Sequence, residues 1–174
     1  MALWIEWLSG VRQLREACHR NRTFVWMVLC LAAFSCRVDH AGITSFVRVF
    51  SFRPQTYYRF LHFFHSKGVD LDALTSLWVQ QCLILFRPIQ VGTRLVCLAD
   101  GIKAPKEGKK MPAVKSLHQQ SGSNSKPEHI MGHSLQAVSL LVNGFAGHVA
   151  AIPLASRIHE GVVFSNRDQR TLLD

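Results

Sequence analysis

Asp100 is the residue of this sequence best placed to do chemistry. It closes the apolar run Leu95-Val96-Cys97-Leu98-Ala99, precedes Gly101, and opens a stretch from Ile102 to Pro127 holding Lys103, Lys106, Lys109, Lys110, Lys115 and Lys126 against Glu107 alone. An acid at the end of a buried strand is costly to desolvate unless a metal ion or hydrogen-bond donors compensate it. A carboxylate for Mg²⁺ with lysines for phosphate beside it is what metal-assisted phosphodiester chemistry uses. The same residues also suit an Asp that makes an Asx turn with Gly101, at the start of a solvated basic loop. His133 begins the next strand-like segment. It is a candidate neighbour of Asp100, or one of nine histidines with a structural hydrogen bond.

The elements that must position these residues fall into two regions. Residues 1–90 read as helical. Leu3, Trp4, Trp7, Leu8, Val11 and Leu14 recur at helical spacing, which predicts an amphipathic first helix. Thr23 to Cys36 carries no charge between Arg22 and Arg37; as a helix it is about 21 Å long, short of a hydrocarbon core of roughly 30 Å. A buried core helix is the first reading, and a membrane-surface or partner-binding helix the second. Asp39–Gly42, Arg53-Pro54, Lys67-Gly68 and Arg87-Pro88 predict breaks around helices at 43–50, 57–65 and 74–85, the last capped by Asp70 or Asp72. Arg37, Arg48, Arg53 and Arg59 on these short helices fit a compact DNA-binding module, or a plain bundle with solvated arginines.

From residue 91 the pattern is that of strands, so the fold class expected is α+β. Residues 95–99 suit a strand buried on both faces, and 101–131 a basic insertion. Segments 132–142 and 148–154, joined by Asn143-Gly144, suit a hairpin whose second strand is an edge because it holds Pro153. Ser165 and Asp168 resemble a capping box opening a helix in which the sequence stops at Asp174.

With 174 residues and 48 % apolar composition the chain can bury a core and is not a disordered tail. Its 20 Lys+Arg outweigh 11 Asp+Glu, giving +9 and a sequence pI near 9.8. A polyanion is the expected partner, nucleic acid or an anionic membrane. Cys18, Cys30, Cys36, Cys82 and Cys97 are odd in number, lack metal-ligand spacing and lie in apolar surroundings. They read as reduced core thiols of a cytoplasmic protein, and the first residues do not have the pattern of a secretion signal.

The ordered set Leu95-Val-Cys-Leu-Ala-Asp100-Gly-Ile-Lys103, Gly108-Lys-Lys-Met-Pro112, Lys115, Leu117-His-Gln119, Ser123-Asn-Ser-Lys126 and Gly132-His133 resembles the start of the catalytic domain of DDE-superfamily insertion-sequence transposases. Gly42-Ile-Thr-Ser-Phe46 through Tyr57, Phe60 and His62-Phe-Phe64 is similar to the helical N-terminal region of the same proteins. The resemblance covers nearly the whole chain. It implies that residues 91–174 hold the first three antiparallel strands and the start of the next helix of an RNase H-like domain, C-terminally truncated. It further implies that Asp100 is the first catalytic acid, a ligand of Mg²⁺ or Mn²⁺. Lys103, Lys109, Lys110, Lys115 and Lys126 are then expected on DNA phosphates, with His133 a possible neighbour of the site. The other two acids are expected downstream, so the chain should be inactive alone. A homo-oligomer is expected of the complete enzyme, which would be cytoplasmic and associated with the nucleoid when bound to DNA. The rival readings are a non-catalytic DNA-binding protein and, with less support, a peripheral membrane protein.

Overall fold

The computed structural model describes residues 2–39, 42–106, 111–118 and 128–159. The chain divides into two compact units, Met1–Gln81 and Cys82–Asp174. It is a mixed helical and antiparallel-sheet protein, the α+β class.

The first unit is helical: α1 (Ala2–Gln13), a 3₁₀ turn (Leu14–Ala17), α2 (Asn21–Cys36), α3 (Gly42–Val49), α4 (Thr56–His65) and α5 (Leu71–Leu85), whose last residues fall in the second unit. Helix α2 is its central element. Cys30 and Ala33 enter one cluster with Phe46 of α3 and Phe60 of α4, while Met27 enters another with Leu14 and Cys18. A helix with apolar neighbours on two sides has no room for charge, which accounts for the uncharged run from Thr23 to Cys36. Among the described residues no helix is long and apolar enough to cross a membrane.

Aromatic geometry sets the first cluster. Trp26 meets Phe60 edge-on at 5.0 Å, Phe34 meets Phe46 at 4.8 Å, and Phe46 meets Phe60 at 5.7 Å, the edge-to-face arrangement that ring quadrupoles favour. Of the two candidate caps, Asp70 serves α5: its Oδ1 accepts the N–H groups of Asp72 at 3.0 Å and Ala73 at 2.9 Å. The chain before it is tied to the 3₁₀ turn, with Asp70 N–H donating to the Ala17 carbonyl at 2.8 Å and His19 N–H to the Gly68 carbonyl at 3.0 Å.

The second unit is built on one long strand. A small hairpin pairs β1 (Gln90–Val91) with β2 (Arg94–Leu95) around Gly92, whose φ of 63° suits a residue without Cβ. Then β3 (Cys97–Pro105), β4 (Lys115–His118) and β6 (Val149–His159) all pair antiparallel with β5 (His129–Asn143). Gly132 is opposite both Pro105 and Lys115, so β3 and β4 lie on opposite edges of β5, and β4 shares its edge with β6. Pro153 lies on β6, opposite Ser139 and beside a register shift. There an edge strand tolerates a residue without N–H.

Two expectations need correction. The segment 95–99 is not one buried strand: Leu95 belongs to β2, and β3 is exposed along almost its whole length. The stretch 101–131 is not all insertion, because β3 continues through Gly101–Pro105, β4 interrupts it, and β5 starts at His129. Lysine and proline are what an exposed edge strand accepts, so their density misread a strand as a loop. The capping box at Ser165–Asp168 lies outside the described residues.

The five thiols are free, but only Cys18, Cys30 and Cys82 are buried; Cys36 and Cys97 are exposed, against the reading of all five as core. Burial pushes the Cys30 thiol up to about 12 and raises those of Cys18, where Arg15 opposes part of the rise, and Cys82. Below pH 9, the ordinary thiol value, folded and unfolded chains both keep the Cys30 proton; between 9 and about 12 only the folded chain does. Stability contributed by these thiols is therefore lost as pH rises through that window. Native protein at pH 8 should react with a maleimide at Cys36 and Cys97 first and at the other three only on unfolding, and the urea midpoint should fall above pH 9. Equal labelling of all five in native protein would contradict the burial.

Candidate functional site

Asp100 stands in the middle of β3, opposite Ala137, and is exposed. The strand does not end there, and the cost of a buried acid does not arise. Its Oδ1 accepts the N–H of Gly101 at 2.7 Å, a local bond made within an extended strand rather than a turn. Through Ala137 the cross-strand row continues to Ser156 on β6, and it brings no second carboxylate to Asp100. On the side away from β5, β3 has no ladder partner among the described residues.

A pair of Mg²⁺ ions needs several carboxylate oxygens between them. Among the described residues no group of three or more His, Cys, Asp and Glu could hold a metal ion. Asp100 is thus a single oxygen donor on an open strand, and the described residues do not make a two-ion centre.

The lysines do not gather round Asp100. Successive side chains alternate between sheet faces, so Lys103, three residues on, lies on the opposite face. Its Nζ donates to the His118 carbonyl at 2.5 Å. Lys115 shares that face from the other edge of β5, with Nζ 3.3 Å from His159 Nδ1. Lys103, Ser134 and His159 form one row across β3, β5 and β6. The sheet therefore carries a basic corner made of Lys103, Lys115 and His159, on the face away from Asp100. Lys109, Lys110 and Lys126 lie outside the described residues. His133 is buried, pairs with Ala104, and lies on the face of Asp100 but about 13 Å along the strand. Its Nε2 donates to the Pro112 carbonyl at 2.9 Å, a structural bond holding the chain ahead of β4.

The arginines of the helical unit also separate. Arg48 pairs with Asp39 at 2.9 Å and Arg37 stacks on Phe34 at 4.6 Å. Arg59 instead lines a cavity of about 670 Å³ with Arg20, Arg22, Lys67, Trp26 and Tyr58. Sequence reasoning missed this cavity. Its only local signals are Arg20-x-Arg22 ahead of an apolar helix and the aromatic-basic mixture from Tyr57 to Lys67, and neither says that the two segments meet.

Comparison with known proteins finds no match: no family model, curated protein or solved structure is similar to this chain.

Proposed function

We propose that this chain is a DNA-binding protein on the plan of a DDE transposase, a helical unit followed by the opening strands of an RNase H-like domain. The observation that supports this most is the strand arrangement: β3, β5 and β6 follow one another antiparallel with β5 between the others, and Asp100 is on the first of them. Among the described residues nothing pairs with the outer edge of β3, which leaves room for a further strand, and Pro153 is on an edge. The short β4, on the β6 side of β5, is an addition to that plan.

In this reading Asp100 is the first of the acids that would hold Mg²⁺ or Mn²⁺ in a complete enzyme, acting in the cytoplasm on nucleoid DNA as a homo-oligomer. The metal, when bound, activates a nucleophile and stabilises the leaving oxygen. The sheet brings no second carboxylate to Asp100 among the described residues, so the activity proposed for this chain is binding: Lys103 and Lys115, with Lys109, Lys110 and Lys126, hold DNA phosphates without reading bases.

Random-sequence duplex DNA should be retained at low salt and released steeply between 50 and 200 mM, with unrelated duplexes competing equally. Labelled duplex incubated with Mg²⁺ or Mn²⁺ should stay uncut, and Asp100→Ala should leave retention unchanged. Salt-independent retention would sink the phosphate-binding reading. Cleavage that disappears in Asp100→Ala would sink its restriction to binding.

A further inference from the structure

We infer that the helical unit has a nucleic-acid site of its own: the cavity formed by residues 19–26 and 58–68 takes an unpaired, phosphorylated nucleotide of a single strand. The phosphates would meet Arg20, Arg22, Arg59 and Lys67, and the base Tyr58 and Trp26. This site is separate from the lysines of the sheet and does not depend on their reading.

Charge is the first argument. Four permanent cations line one cavity and no carboxylate does. None of the four side chains has a hydrogen bond or ion pair among the described residues, in contrast to Arg48, which Asp39 neutralises at 2.9 Å. Like charges converging without counter-ions repel one another, and a bound anion relieves that repulsion. The cavity also takes in the start of α2, where Arg20 is the N-cap, makes no side-chain capping bond, and no acid sits in the first turn. The positive end of the helix dipole is therefore met by no acid in the first turn of α2 and by none among the described residues that line the cavity.

The aromatic residues decide which anion. A bare phosphate needs only donors, yet Trp26, Tyr58 and Phe63 line the same space. Tyr58 is 71 % exposed, a large ring left at the solvent edge with no core role. Trp26 is fixed from behind by its edge-on contact with Phe60, which is fully buried. Cations for the backbone beside rings for the bases is how proteins hold single strands. A cavity of about 670 Å³ is in the usual size range for small ligands, roughly 300–1,000 Å³. It can admit a splayed-out nucleotide, whereas the bases of a duplex are stacked away inside it.

The walls are held rigidly. Cys18 and Val69 form an isolated antiparallel bridge, and His19 N–H donates to the Gly68 carbonyl at 3.0 Å. A Cβ on Gly68 would come within 2.9 Å of Thr23 Cγ2 and Oγ1, so the loop after α4 sits tight against the start of α2. The cations are thus presented on a preformed frame.

The test measures binding of a fluorescein-labelled short oligo-dT, of a duplex of the same length, and of dTMP and inorganic phosphate as competitors, at fixed salt. Oligo-dT should bind at least about tenfold more tightly than the duplex. Tyr58→Ala should weaken oligo-dT roughly tenfold, the worth of one lost base stack, and leave the duplex unaffected. Arg22→Ala and Arg59→Ala should each weaken oligo-dT and lower its salt slope by about one. Arg53→Ala, exposed and outside the cavity, should do neither. These side chains are exposed, so unchanged circular dichroism is expected and is checked. If dTMP competes as well as oligo-dT per nucleotide, and loses that ability in Tyr58→Ala, the site stands with a free nucleotide as its source. Inorganic phosphate competing as well as dTMP, or Tyr58→Ala and Arg59→Ala behaving like Arg53→Ala, would overturn it. Loss of duplex retention with oligo-dT binding intact would count only against the sheet lysines.

Discussion

Phe60→Ala should unfold much of the helical unit at temperatures where the parent chain is folded, with a loss of about 3–5 kcal/mol, the usual cost of emptying a buried phenylalanine site. Phe60 has no exposed surface and makes ring contacts with Trp26, Phe46 and Phe52. Its removal leaves a void that α2, α3 and α4 all border. Domain stabilities are only about 5–15 kcal/mol, so this is a large share of the total. Urea unfolding followed by helical circular dichroism gives the number. Leu71→Ala, at a residue 71 % exposed, is the reference and should change stability by no more than about 0.5 kcal/mol. A Phe60→Ala loss as small as that of Leu71→Ala would mean that the aromatic cluster does not hold the three helices together.

Gly132→Ala should damage the sheet where β3, β4 and β5 meet. A Cβ at this position would lie 2.3 Å from the Ala104 carbonyl oxygen and 3.1 Å from Pro105 Cα, both backbone atoms that no side-chain rotation can move aside. The ladder has to open at that end, exposing the bond from Lys106 N–H to the Met131 carbonyl at 2.9 Å. About 3 kcal/mol is expected, at the upper end of ordinary overpacking costs, together with fast amide exchange at Lys106. Gly101, on the paired strand, is the control. Its nearest neighbour would be the Leu135 carbonyl at 4.0 Å, and Gly101→Ala should be neutral or slightly stabilising because it restricts the unfolded chain. Equal behaviour of the two variants would contradict the register of β3 on β5.

The contrast between those glycines shows what the sequence could and could not disclose. Helices were legible because their signals are local: the spacing of apolar residues in α1, the breaks at Arg53-Pro54 and Lys67-Gly68, and the Asp70 cap all act within a turn or two. The β5–β6 hairpin, with Pro153 on an edge, was legible for the same reason. The limits of β3 were not. Nothing local distinguishes lysine, alanine and proline in a loop from the same residues on an exposed edge strand, since the ladder that holds them is supplied by Gly132–Leu140, far along the chain. The consequence for Asp100 was direct. Reading the strand as ending at Ala99 put the acid at a buried terminus with its lysines alongside, whereas strand alternation separates Asp100 from Lys103 by a whole sheet. The cavity of the helical unit was hidden in another way. Each of its residues is ordinary in its own segment, and only tertiary contacts such as the Cys18–Val69 bridge, the His19–Gly68 hydrogen bond and the Trp26–Phe60 ring contact bring the two segments together.

Strand β5 runs for fifteen residues and, among the described residues, is the only ladder partner of β3, β4 and β6. That makes the order of contact formation unequal. Asn143 and Val149 are close in sequence, so the β5–β6 ladder can begin from a short closure and zip outward. The nearest pair of β3 and β5, Pro105 with Gly132, must first close a much longer loop, at a greater entropic cost. The β5–β6 hairpin is thus the template on which β3 is laid down late, and while it waits β5 shows one unsatisfied edge to the solvent. In a crowded refolding mixture that edge is where two copies of the chain would meet first.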